Sequence, residues 1–302
     1  MPVGVACPIN SSKYSTRIDP SYIESIASSS SEVILDCKRI DGIYFLALNR
    51  KANKNALSAC FVRDISDSVS ELEKDKKSRA LIICSLVDNV FCSGADLKER
   101  AKYTDSEVPG VVGSLRSLFQ RIHCLPMPTI AAIDGAALGG GLELALACDL
   151  RFAGHMPRTS LGLVETHWAL LPGAGGSQRL PRLIGSARAK ELVLAARVFD
   201  ARTAASYGLV NSALEPAEVP DAIWRKRPGL FAAIRFAEEV VTKGPLAVRQ
   251  AKKAIQQGLD APSLEDGLLL EAECYRSLVS TKDRQEGMKA FAEKRQPVYH
   301  GL

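Results

Sequence analysis

From Glu32 onward the apolar positions fall into runs of two periods. VILDCKRI (33–40) and IYFLALNR (43–50) are strand-like, and the Asp41-Gly42 step between them is a hairpin turn signal. LSACFVRDISDSVSELEKDKK then places Phe61, Val62, Ile65, Val69 and Leu72 on one helical face. ALIICSL reads as a buried strand and FCSGADL as the loop after it. Residues 111–122 read as a second amphipathic helix. TIAAI is a strand that runs into a GGG turn and a short apolar helix, LELALAC, and DLRFAG is strand-like again. Strands alternating with helices predict an α/β fold with parallel strands and crossover helices.

After about residue 185 the period becomes helical. SARAKELVLAA, LFAAIRFAEEVVTK, PLAVRQAKKAIQQG, LEDGLLLEAECYRSLVS and KDRQEGMKAFAEKR all read as helices, with Pro245 suited to a helix start and Gly258 to a helix end. The Pro- and charge-rich stretch 216–229 marks a break. The reading is a flexible Ser-rich leader over 1–31, a core over 32–225 and a C-terminal helical region over 226–302. The leader lacks the apolar run of a secretory signal; organelle targeting is a second reading of it.

Composition changes this picture little. The 302 residues are 46% hydrophobic and 24% charged, as in soluble globular chains, and no run approaches the roughly 18 apolar residues of a membrane span. The net charge of +5 is ordinary surface composition. Eight cysteines are scattered without CxxC pairs or histidines at metal-ligand spacing, so free, reduced thiols are expected and a metal site is not.

The candidate chemistry lies in two isolated acids. Glu143 is the sole acid between Asp134 and Asp149, and Glu165 the sole acid between Asp149 and Glu191. A carboxylate in apolar surroundings is costly unless paired, and burial raises its pKa towards the range useful for proton transfer. Each sits beside a glycine cluster. Gly139, Gly140 and Gly141 open a helix, where bare N–H groups and the helix dipole favour negative charge; on its own, that turn reads first as a tight strand-to-helix connection. FCSGADLKER is a second small-residue loop with exposed N–H groups. Together the two loops can form an oxyanion hole. His167, two residues after Glu165, reads as a surface or supporting histidine.

FCSGADLKER, IAAIDGAALGGGLELALACDLRFA and GLVETHWALLPGAGGSQRLPRLIG, in this order, resemble the enoyl-CoA hydratase/isomerase (crotonase) superfamily from about residue 33 to 300. GLVET, SARAKEL, TKDRQEG and FAEKR look closest to its methylglutaconyl-CoA hydratase branch, which also binds AU-rich RNA, and to mitochondrial enoyl-CoA hydratase-like neighbours. The resemblance implies a ββα spiral core with a C-terminal helical oligomerisation region, forming a homotrimer or dimer of trimers. It implies acyl-CoA as substrate, with no cofactor and no metal. It assigns the N–H groups of Ala95 and Gly140 to the oxyanion hole and makes Glu143 and Glu165 the catalytic pair. Lys54, Asn55, Ala56 and Leu57, together with Asp96 and Leu97, match the CoA path. Ser93, Gly94, Leu138, Gly139, Val164 and Gly173 complete the implied substrate-binding set. The chain departs from the pattern at Lys51, where a proline is common, and at Ser93, where alanine is usual.

The implied reaction is hydration of a 2-enoyl-CoA, with methylglutaconyl-CoA hydration or Δ3,Δ2-enoyl-CoA isomerisation as alternatives. An isomerase usually needs one base, so two glutamates favour hydration. RNA binding is disfavoured because the helix at 61–77 carries Asp64, Asp67, Glu71, Glu73 and Asp75 against four cations, a net acidic face. The implied compartment is mitochondrial, otherwise cytoplasmic or peroxisomal.

Overall fold

A computed structural model describes residues 16, 18, 20–27, 29–36 and 42–302. In chain order its elements are α1 (Pro20–Ala27), β1 (Val33–Asp36), β2 (Ile43–Leu48), α2 (Ala59–Lys74), β3 (Ala80–Ser85), β4 (Asn89–Cys92), α3 (Leu97–Arg100), α4 (Val108–Cys124), β5 (Thr129–Ile133), β6 (Gly135–Leu138) and α5 (Gly140–Ala147). They continue with β7 (Leu150–Gly154), β8 (Leu161–Gly162), α6 (Gly176–Ile184), α7 (Ser186–Leu194), α8 (Ala201–Ser206), β9 (Ser212–Leu214), α9 (Pro228–Val240), α10 (Pro245–Leu259), α11 (Leu264–Leu278) and α12 (Lys282–Ala292).

Two sheets organise the core. The larger runs β1-β2-β3-β5-β7-β9 and is parallel except for the β1–β2 pair, whose antiparallel register joins Val33 to Leu48 and Asp36 to Phe45. That pairing agrees with the hairpin reading, although Asp41 lies outside the described residues. The smaller sheet, β4-β6-β8, is wholly parallel. Each of its strands directly follows a strand of the large sheet, so the chain winds as successive strand–strand–helix turns. The sequence patterns merged these short strands into loops: GAAL and LG carry too few residues to show a period.

Alternation along the central strands feeds two apolar layers. Leu81 and Ile83 of β3 face the side covered by α2, α4 and α5, with Phe61, Phe91, Phe119 and Leu142. Ala80 and Ile82 face the other side, with Phe45, Ile130 and Ala132. Burial on both faces explains why these strands read as continuous apolar runs. α2 begins where the Ser58 hydroxyl accepts the Phe61 N–H at 3.3 Å, and it buries Phe61, Ile65, Val69 and Leu72.

Two boundaries drawn from sequence shift. Order was expected to begin near Glu32, yet α1 lies within the Ser-rich segment, and Ile18, Tyr22, Ile23 and Ile26 are buried against the second layer. Their spacing is helical, and the surrounding serines masked it; residues 1–15 of the expected leader lie outside the described residues. The core also does not end at 225. α9 lays Leu230, Phe231, Ile234 and Ala237 onto the same layer, anchored where Asp134 accepts the N–H groups of Gly229 and Leu230 at 2.6 and 2.9 Å. The stretch 216–229 joins this layer through buried Val219 and Trp224.

α10, α11 and α12 are different. α10 buries no residue and is tied to the core by polar contacts, including Lys252 to Asp149 at 2.7 Å and Arg249 to the Ser78 carbonyl at 2.8 Å. Ile255, Leu259, Leu264, Leu269 and Phe291 are exposed on this unit. So much uncovered apolar surface fits a contact between subunits. Light scattering is expected to show a trimer or a dimer of trimers; an active monomer stable at micromolar concentration would rule this assembly out. Among the described residues no helix is long and apolar enough to cross a membrane.

Candidate active site

The three loops singled out in the sequence all leave the C-terminal ends of the small sheet. β4 delivers Ser93–Asp96, β6 delivers Gly139 and Gly140, and β8 delivers Val164 and Glu165. Parallel pairing of the three strands therefore gathers segments distant in sequence. Gly94 has φ +94° and Gly139 φ +50°, a region disfavoured for side chains. A Cβ on Gly94 would lie 2.7 Å from the Leu138 carbonyl oxygen and 3.3 Å from the Gly140 nitrogen. The two loops thus touch through backbone. A Cβ on Gly140 would lie 3.6 Å from the Ala95 nitrogen, and neither of these N–H groups donates to a described backbone or side-chain group. Gly140 is the first residue of α5, so its N–H is one of those a helix leaves without an internal partner.

Both glutamates flank this helix end. Glu143 is 3% exposed, in the first turn of α5. Its Oε1 accepts the N–H groups of Ala174 at 2.9 Å and Gly176 at 2.7 Å. Both donors come from the PGAGG segment, more than thirty positions along the chain. Burial raises the Glu143 pKa, and the two N–H bonds oppose that rise. Glu165 is 9% exposed, its Oε1 would lie 3.2 Å from a Cβ on Gly139, and its Oε2 is buried with no hydrogen-bond partner among the described residues. Burial first, then the Glu143 charge, pushes Glu165 up to about 7. The pair is thus unequal: one carboxylate is held by donors and the other is poised to carry a proton.

Glu165 should cost the fold stability at neutral pH. The folded chain binds its proton more tightly than the unfolded chain, so its contribution is complete below 4.5 and is lost as pH rises to about 7. Glu165→Gln cannot ionise. It is expected to match the parent near pH 4 to 5 and to exceed it by roughly 1–3 kcal/mol at about pH 8. Denaturant melts at both pH values check this; a difference that does not grow with pH sinks it.

The remaining expected contacts divide. Leu57 and Asp96 line a cavity of about 950 Å³ between α2 and α4, with Ala95 also in its wall. Gly140 and the glutamates are not in that wall, but a Cβ on Gly140 would lie 3.1 Å from Leu57 Cδ1, so the cavity abuts the turn. Leu97 is exposed beside it. Lys54 is exposed, with its carbonyl accepting the Ser93 N–H at 3.1 Å. Ala56 is buried, and its carbonyl accepts from Arg50 at 2.7 Å. Asn55 departs from a ligand-facing part: it is fully buried, and its amide donates to Ser85 at 2.8 Å and to the Phe91 carbonyl at 2.9 Å, bracing the loop. Val164 precedes Glu165, and the Gly173 carbonyl accepts from Arg116 at 3.0 Å beside the segment that holds Glu143.

Arg50 was not singled out from sequence. It pairs with Asp96 at 3.0 Å and so ties the 53–57 segment to the Ala95 loop. Lys51 does not disturb this region, since a 3-10 turn forms over Lys51–Asn53. His167 is exposed and packs against Trp168 at 4.9 Å between ring centroids. Cys84, Cys92 and Cys148 are buried thiols pushed up to about 12, mainly by burial, whereas Cys60 and Cys124 are exposed. No cluster of three or more His, Cys, Asp or Glu suited to a metal occurs among the described residues.

The chain is similar to known proteins in sequence and in fold. The enoyl-CoA hydratase/isomerase family profile matches residues 38–301. A mouse protein named methylglutaconyl-CoA hydratase, mitochondrial, is 51% identical over 260 residues, 86% of this chain and 80% of its own length. An Arabidopsis thaliana protein named probable enoyl-CoA hydratase 2, mitochondrial, is 46% identical over 86% of this chain and 82% of its own length. The crystal structure of an enoyl-CoA hydratase from Bacillus anthracis superposes with TM-score 0.83 at 40% identity, covering 90% of this chain and all of the other.

Proposed function

The chain belongs to the enoyl-CoA hydratase/isomerase family, and from that premise we propose that it adds water across the double bond of a 2-enoyl-CoA thioester. The observation that carries this reading is the pair of buried, unequal carboxylates beside the helix start that bears two uncommitted N–H groups.

In this reading the thioester oxygen sits between the N–H groups of Ala95 and Gly140. As water attacks C3, the π electrons move towards that oxygen, and the fixed donors meet the charge where it develops. Glu143, held by Ala174 and Gly176, orients the water and takes its proton. Glu165, raised to about 7, carries a proton and delivers it to C2. The C3–O and C2–H bonds form, and the proton now on Glu143 returns to Glu165 through water before the next turnover. Acyl-CoA is the substrate and no cofactor takes part. Leu57 and Asp96 border the path to the cavity.

A second reading concerns the acyl group. The 51% identity to the mouse methylglutaconyl-CoA hydratase favours a branched, acidic enoyl chain, and the names of both relatives favour a mitochondrial location. Steady-state hydration of crotonyl-, tiglyl- and 3-methylglutaconyl-CoA tests both readings. Turnover of at least one is expected, the last fastest under the second reading. Hydration of none by folded protein overturns the proposal.

A further inference from the structure

We infer that Arg100 is a specificity-determining residue that receives a carboxylate at the far end of the acyl chain; this rests on the hydratase reading above. A carboxylate at the far end of an acyl chain is stabilised by a fixed cation that it can pair with directly. Three arginines line the 950 Å³ cavity: Arg63, Arg100 and Arg121. Arg121 is committed, bonding Glu73 at 2.8 and 2.9 Å, Ser66 at 2.6 Å and Ser70 at 2.7 Å. Arg63 lies on the exposed side of α2. Arg100, at the end of the four-residue helix that follows Ala95 and Asp96, is half-buried, and its side chain makes no hydrogen bond or ion pair among the described residues.

Arg100 shares the cavity wall with Ala95, the proposed donor at the thioester end. Its charge also reaches Glu143 and Glu165, where it opposes the rise that burial imposes on each. A short dicarboxylic enoyl chain with its thioester oxygen at Ala95 and its acyl end in the cavity would share that space with this guanidinium.

The cavity's own carboxylates do not compete for it. Asp96 is paired with Arg50 at 3.0 Å. Glu99 accepts the Ala59 N–H at 3.0 Å and the Tyr103 hydroxyl. Glu107 accepts the Thr104 N–H and hydroxyl, both at 2.8 Å. Arg100 is thus left as a forked donor with a free face, the geometry that suits a carboxylate.

Glutaconyl-CoA and crotonyl-CoA differ only in the terminal carboxylate, so the ratio of their kcat/KM values reads the interaction directly. The parent enzyme is expected to favour glutaconyl-CoA. Arg100→Met should reduce that ratio by at least about 30-fold, the scale of a lost charge-assisted pair. Crotonyl-CoA turnover will shift as well, because Arg100 acts on the glutamates, so the ratio and not either rate alone decides. Arg100→Lys, which keeps the charge without the fork, should retain an intermediate ratio. Calorimetry with unreactive glutaryl-CoA and butyryl-CoA, on each variant, should show the same loss confined to the acidic ligand. An unchanged ratio in Arg100→Met, or a parent enzyme that prefers crotonyl-CoA, overturns this assignment and leaves the hydratase reading intact. Failure of the parent to hydrate either thioester overturns the hydratase reading and this inference with it.

Discussion

Glu143→Gln and Glu165→Gln are each expected to lower the hydratase kcat by at least about 100-fold, the lower end of general acid–base effects. Glutamine keeps the volume of each side chain, so the apolar packing around α5 is retained. In Glu143→Gln the amide oxygen can still accept from Ala174 and Gly176, so the fold of the 173–176 segment should survive while the base is lost. In Glu165→Gln the proton donor to C2 is lost and the mutual repulsion of the pair goes with it. KM should change much less than kcat in both, since neither group is assigned to hold CoA. The pair works with one proton between them, so hydration and dehydration must share one pH profile. The kcat/KM value should fall as pH rises through about 7, where the free enzyme loses that proton. Rates within a few-fold of the parent in either variant, with near-UV circular dichroism preserved, would remove that residue from the mechanism.

Gly140→Pro is expected to lower turnover by at least about 100-fold while leaving acyl-CoA binding measurable. Proline deletes one of the two N–H groups assigned to the thioester oxygen, and loss of one such donor costs about 3 kcal/mol of transition-state stabilisation. The charge it meets develops during reaction, so kcat should fall far more than ground-state affinity. Position matters here. Gly140 is the first residue of α5 and has no positive φ, so proline's fixed φ is tolerated at this helix start. Gly140→Ala supplies the control: it keeps the N–H and brings a methyl group 3.1 Å from Leu57 Cδ1, the end of a movable side chain. Its kcat should lie well above that of the proline variant. The parent should also bind a thioester enolate analogue more tightly than the matching saturated acyl-CoA. Equal affinities by calorimetry would make the GGG turn structural and the oxyanion-hole reading wrong.

Much of this site could be read from residue spacing because its parts are local. The isolation of Glu143 and Glu165, and the glycines that open α5, are visible within a few positions of each other. What escaped was the set of long-range partners. Nothing in PGAGG says that Ala174 and Gly176 turn their N–H groups on Glu143, thirty-odd residues earlier. Asn55 carries an amide that suits a ligand as well as a loop brace, and only its complete burial separates the two. The small sheet escaped for another reason: β8 is two residues long and its hydrophobic pattern has no period to detect. α1 escaped because serines around Ile18, Tyr22 and Ile26 lower the local apolar density below that of a recognisable helix.

The way the second apolar layer is closed bears on how the chain is made. Its cover comes from Ile18, Tyr22, Ile23 and Ile26 on one hand and from Leu230, Phe231, Ile234 and Ala237 on the other, more than two hundred positions apart. A ribosome that has released the strands β2 to β7 has therefore produced a sheet whose second face has only the α1 part of its cover. Ile82, Ile130 and Phe152 stay open to water until α9 emerges. Contacts of such separation form late and slowly, and the bare sheet face is an aggregation hazard in the interval. Nascent chains of this protein should therefore require chaperone cover until synthesis has passed α9, and a chain ended at residue 225 should accumulate as insoluble material instead of folding as a smaller domain.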